Sequence, residues 1–267
     1  MNASLRSYVA EMVGTFALVL LTAGAVCASG LPTVSGQPEM GRIGIALAAG
    51  LAWCVCLAFT LRHSDGYLNP AITITLWVFQ RIDNRRALGM IIAQLLGATF
   101  AGLALRGLFF TNESVLIATR LGTPHLEHIG SGSEGPDRAD VIQGIGIEAV
   151  LVFILVFAIF ALIYDPRFRQ KTGETVYRLT YLWLGLTVMV EVLVAYNLTG
   201  AALNPARWFG TVVWESTVSG LASQHPLADH GPYWIGPILG ALLAGTAYTY
   251  LLLPQDTPKG QPKGGLP

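Results

Sequence analysis

The chain has 267 residues, 53% of them hydrophobic and 12% charged, with a formal net charge of zero. Soluble domains carry about 25% charged residues, so this composition excludes an ordinary soluble globule, and the zero net charge gives no electrostatic case for nucleic acid as a partner. Three cysteines in a chain of this length do not make a disulfide framework. What remains is an all-α polytopic membrane protein, with the lipid bilayer as its solvent.

A spanning helix needs about 20 mostly apolar residues. In chain order the stretches 8–28, 43–61, 88–110, 141–164, 177–198 and 233–253 qualify. The first is longer than the apolar run of a signal peptide and carries Glu11, so it reads as a span. The links are short except 111–140 and 199–232. The tail 254–267 is rich in Pro, Gly and Lys and is expected to be disordered. Lys and Arg set the orientation. Arg81, Arg85 and Arg86, with Arg167, Arg169, Lys171 and Arg178, fall in or beside links on one side, the inner one. Link 111–140 holds Arg120 and Arg138 against Glu113, Glu127, Glu134, Asp137 and Asp140, and belongs outside. Both termini are then cytoplasmic, and the expected location is a plasma or inner membrane.

The two halves of the chain repeat each other. AEMVGTFALVL at 10–20 matches IEAVLVFILVF at 147–157, and GYLNPAI at 66–72 matches GAALNPAR at 200–207. AQLLGATFAG at 93–102 matches GPILGALLAG at 236–245. Glu11 precedes Asn69 by 58 residues, and Glu148 precedes Asn204 by 56. The repeats run over about 8–110 and 141–253. Each holds three spans, an odd number, so the second half enters the membrane from the opposite side.

The repeat gives Asn69-Pro70-Ala71 and Asn204-Pro205-Ala206 their meaning. Asn is a good N-cap, and Pro is favoured at the first helical position. Each motif is followed by an apolar run too short to span, 71–79 and 208–213. About ten residues at 1.5 Å give roughly 15 Å, half of a ~30 Å hydrocarbon core. The expected fold is six transmembrane helices plus two re-entrant half-helices, in an inverted repeat whose half-helix tips meet at the midplane. Broken backbone at that depth is tolerated where it is buried in protein or lines a wet cavity.

At these residues the sequence resembles the aquaporin, or major intrinsic protein, family. The carriers are Ala10-Glu11 with Gly14-Thr15, the two Asn-Pro-Ala motifs, Ala93-Gln94 with Gly97, Glu148, Thr199-Gly200, Arg207, and Gly236-Pro237. The resemblance implies one aquaporin-like channel domain over 1–253, not an enzyme, with a passive pore in each protomer of a homotetramer and no cofactor. Asn69 and Asn204 would donate N–H groups to water or a small neutral solute, and Arg207 would sit in an outer constriction. Two helix N-termini and one Arg repel cations and hydronium.

Carried over by spacing, the family's selectivity filter falls on Ala49, Val192, Ala201 and Arg207. The resemblance places an aromatic and a His at the first two positions in strict water channels, and an Asp after the Arg in glycerol facilitators. This chain has neither set, and Trp208 follows Arg207. Its small, apolar ring looks closest to the plant subgroup that conducts boric and arsenious acids. Water, glycerol or urea, and metalloid acids therefore stay open as solutes. Tyr67 replaces the family's His before the first motif, either as a packing change or as a phenol narrowing the inner mouth.

Glu11 and Glu148 are acids inside spans, which are costly and often functional. Their repeat symmetry favours support of the broken stretches over a proton relay. Glu191 has no counterpart, and helix packing and pore tuning stay open for it. Cys27, Cys54 and Cys56 read as small core residues, with no metal site. His125 and His128 read as part of a solvated loop. A secondary active transporter also uses inverted repeats, but the midplane here holds two Asn and no paired charge.

Overall fold

The computed structural model describes residues 3–32, 40–126, 137–168, 170–171, 179–221 and 229–253. The disorder expected for 254–267, and the loop placement of His128, lie outside the described residues.

Helix α1 spans Ala3–Ser29, α2 Gly41–Ser64, α3 Pro70–Val78, α4 Asn84–Leu108 and α5 Glu113–Thr119. Helix α6 spans Arg138–Ile159, α7 Thr180–Thr199, α8 Pro205–Glu215 and α9 His230–Ala247. Helices α6 and α9 each continue into a wider π turn, Phe160–Tyr164 and Tyr248–Leu252. Among the described residues, six helices are long and apolar enough to cross a membrane. They are the six expected spans, α1, α2, α4, α6, α7 and α9, and there is no strand among the described residues.

Helices α3 and α8 are the half-helices. With 9 and 11 residues they reach about 14–16 Å, half of a ~30 Å hydrocarbon core. Each begins as the sequence dictates. Asn69 and Asn204 are extended, at φ −152° and −147°, and each side-chain oxygen accepts the N–H two residues on. Pro70 and Pro205 then take the first helical position, where a missing N–H costs nothing.

The packing shows the inverted repeat directly. In the first half α1 lies on α4, and in the second α6 lies on α9. The half-helices are exchanged: α8 packs on α4, and α3 on α9. Helices α2 and α7 cross between the halves. Small residues permit the crossing: a Cβ on Gly50 would press on the Gly185 carbonyl, and one on Gly185 on that of Gly50. Apolar side chains such as Leu51, Ile92, Val150 and Val194 point outward, while Glu11, Gln94, Glu148 and Thr199 are fully buried. That is the arrangement a hydrocarbon solvent selects.

Candidate functional site

The two half-helix tips meet and bond each other. Asn69 Nδ2 donates to the Leu203 carbonyl at 2.9 Å, and Asn204 Nδ2 donates to the Leu68 carbonyl at 2.7 Å. Each carboxamide oxygen is already used by its own cap. An amide nitrogen has two N–H donors, so one closes the contact between the halves and the other remains.

Leu68 and Leu203 carry the strain of this contact. Both have positive φ, 49° and 58°, a region that non-glycine residues rarely enter. Both are held from two sides. The Leu68 N–H donates to Glu11 at 2.7 Å, and the Leu203 N–H donates to Glu148 at 2.8 Å, while their carbonyls take the opposite Asn. Each carboxylate also takes two further donors. Glu11 accepts from the Tyr67 N–H and Gln94 Nε2, and Glu148 from the Ala202 N–H and the Thr199 hydroxyl. Three hydrogen bonds satisfy each buried carboxylate at equivalent places of the two repeats.

Two cavities flank the tips. On the upper face, the one bearing α5, an open vestibule of about 510 Å3 is lined by Ser29, Arg120, His125, Asn197, Gly200 and Arg207. Arg207 is 9% exposed; its Nη1 has no hydrogen-bond partner, and no carboxylate among the described residues pairs with it. Its side chain lines the vestibule. Ala49, Val192 and Ala201 are buried members of one core. Trp208 turns away from the vestibule and stacks on Tyr233, with ring centroids 5.6 Å apart. On the lower face the cavity beside Tyr67 shrinks to about 10 Å3.

Several expectations change here. His125 is not solvated: it is 8% exposed, with Nε2 2.8 Å from Glu215 and Nδ1 3.2 Å from Asp229. Arg120 Nε donates to the other Glu215 oxygen at 2.8 Å. The three elements are far apart in sequence, and a His in a polar link gives no sign of burial. Glu191 is buried, with both oxygens unpartnered. Tyr164 and Asp65 also entered the site without a sequence signal for their roles. The three cysteines are buried and free.

The His125 clamp carries a pH dependence. Burial works against its charge, but hydrogen bonds to Asp229 and Glu215 outweigh it and hold its pKa above the usual value. A raised pKa stabilises the fold fully below the unfolded value of about 6.5, and that stability is lost as pH rises through the folded value. Between pH 6 and 9 the melting temperature of the wild type is therefore expected to fall further than that of His125→Gln. Parallel pH profiles for the two proteins would remove the clamp.

Six spans, two exchanged half-helices with bonded tips, and a cavity on each side of them define a polytopic protein with an inverted-repeat fold. The model of the major intrinsic protein family matches residues 1–248, and the chain belongs to that family, whose members are channels and not enzymes. It is 35% identical over 251 residues to aquaporin TIP4-4 of Zea mays, covering 94% of this chain and 88% of that one. It is 32% identical over 247 residues to aquaporin TIP2-1 of Arabidopsis thaliana, covering 92% and 87%. Among solved structures, the aquaglyceroporin of Plasmodium falciparum shares the fold with a TM-score of 0.76 at 22% identity, covering 93% of this chain and 96% of that chain.

Proposed function

We propose that the chain is a passive channel for water and small neutral solutes, with its pore running between the half-helix tips. The observation that carries this reading is the reciprocal bonding of Asn69 and Asn204 across the repeat. It brings two helix N-termini together and leaves one amide N–H on each Asn for a passing oxygen. Partial positive charge from both helix ends, and the full charge of Arg207, oppose cations and hydronium. A water accepting from both amides must donate away from the centre, which interrupts proton relay along a file.

In this reading Asn69, Pro70 and Ala71, with Asn204, Pro205 and Ala206, form the central donors. Ala49, Val192, Ala201 and Arg207 form the outer ring, and Glu11 and Glu148 hold the broken stretches. Tyr67 narrows the inner mouth. The upper face is the outer one, with both termini cytoplasmic, because Arg81, Arg85 and Arg86 cluster on the lower side. A plasma or inner membrane and a homotetramer complete the proposal. The small ring residues favour a second reading, a channel mainly for boric or arsenious acid.

Stopped-flow light scattering of proteoliposomes tests the main reading. Water efflux in sorbitol is expected to be many times faster than from empty vesicles, with no added proton leak. Efflux equal to that of empty vesicles, from monodisperse protein, would overturn the channel assignment.

A further inference from the structure

The two cavities are of very different size, about 510 Å3 above the tips and about 10 Å3 below. A cavity must offer about 10–15 Å3 to hold one water. The lower one lies at the edge of what a single water needs. Its walls come from four elements: Trp53 and Leu57 of α2, Tyr67 of the link to α3, Ile159 and Tyr164 at the end of α6, and Leu184 of α7. Walls supplied from that many sides are what a section of a pore requires.

The narrowing is made by two phenols, and both are fixed from behind. The Tyr67 hydroxyl donates to Asp65 Oδ2 at 3.1 Å. That oxygen also accepts from Arg86 Nη2 at 2.8 Å. Tyr164 lines the same cavity as Tyr67. The Arg81 guanidinium lies 6.0 Å from the centre of the Tyr164 ring, within the reach of a cation–π contact, and Phe160 packs at 5.4 Å from it. Neither ring can swing aside without breaking these contacts.

The chemistry of the walls reinforces the size limit. Beside the phenols the lining is Trp, Leu and Ile, with Gly66 and Asp65, and Asp65 Oδ2 is already taken by Tyr67 and Arg86. A solute with several hydroxyls leaving the Asn donors finds few partners here, and unpaired polar groups are costly to desolvate. A water needs fewer replacements.

We infer that the Tyr67–Tyr164 pair, and not the ring at Ala49, Val192, Ala201 and Arg207, sets the solute size limit of this protein. The inference rests on the channel reading above, narrows its solutes to water and stands against the boric or arsenious acid reading. Water passes both constrictions. Boric acid and glycerol enter the wide vestibule and are stopped on the inner side.

The test uses proteoliposomes of the full chain and compares boric acid and glycerol re-swelling with water efflux in the same preparation. The wild type is expected to pass water quickly and boric acid at least about tenfold more slowly, a barrier difference of about 1.4 kcal/mol. Tyr164→Ala and Tyr67→Ala are expected to raise boric acid permeability about tenfold or more while water efflux changes much less, and Tyr67→Phe, which keeps the ring and loses the hydroxyl, to fall between. If one variant fails to fold, the other carries the test. A fast wild-type water flux with a solute-to-water ratio unmoved by every Tyr variant would overturn the inner limit and leave the channel standing. Absence of wild-type water flux would overturn the channel reading itself.

Discussion

Glu148→Leu is expected to yield little monodisperse protein, and what survives should melt far below the wild type and conduct no water. The carboxylate is fully buried and accepts from the Thr199 hydroxyl at 2.6 Å, the Ala202 N–H at 2.9 Å and the Leu203 N–H at 2.8 Å. A Leu of similar volume orphans three buried donors, each at a cost of about 1–3 kcal/mol. Leu203 also sits in the left-handed region, and that strain, about 1–3 kcal/mol, persists only while the surroundings over-determine it. The total rivals the ~5–15 kcal/mol that holds an ordinary domain together. Glu11→Leu is expected to do the same through Tyr67, Leu68 and Gln94. Glu148→Gln keeps one acceptor oxygen and should fall between wild type and Leu. Thermal melting in detergent, with yield and water efflux per protein, checks the series. Wild-type melting in both Leu variants would show that these acids do not hold the broken stretches.

Those acids were legible in the sequence because they recur, and recurrence turned two expensive residues into one design. The spans were legible because apolar length is a direct demand of the bilayer, and the half-helices because Asn-Pro names both cap and first turn. What the sequence hid is the other half of each bond. Asn69 and Asn204 donate to backbone carbonyls, and a carbonyl has no letter of its own. Leu68 and Leu203 hide their positive φ, since Leu is among the last residues one would place there. His125 meets Glu215 and Asp229 across 90 and 104 residues, so only the folded chain brings the three together. Tyr164 ends an apolar span, and nothing in the sequence sets it against Tyr67. Its place against Tyr67 depends on the π turn at Phe160–Tyr164, which no periodicity announces.

The glycines of α4, α6 and α9 should separate into two classes with opposite signs. A Cβ on Gly97 would collide with the carbonyl of Met12, and one on Gly240 with the carbonyl of Ala149. These are repeat-equivalent positions, and each contact falls one residue beyond a supporting acid, Glu11 or Glu148. Backbone lies against backbone there, so no side chain can give way, and α1 must part from α4 or α6 from α9. Such separation loosens the helix that carries the carboxylate and so the broken stretch it holds. Gly97→Ala and Gly240→Ala are each expected to cost about 1–3 kcal/mol or more, the range of an overpacked core, and the Leu variants to prevent folding. Gly107 and Gly146 are also helical glycines, but nothing lies within 4 Å of a Cβ at either. There Gly→Ala is expected to stabilise by up to about 1 kcal/mol, the helix-propensity gain. Four melting curves in one detergent decide it. A lowered melting temperature for Gly97→Ala and Gly240→Ala, beside an equal or raised one for Gly107→Ala and Gly146→Ala, is the expected pattern. Equal losses at all four positions would show that close backbone approach at the acid-bearing helices does not set the packing of the two repeats.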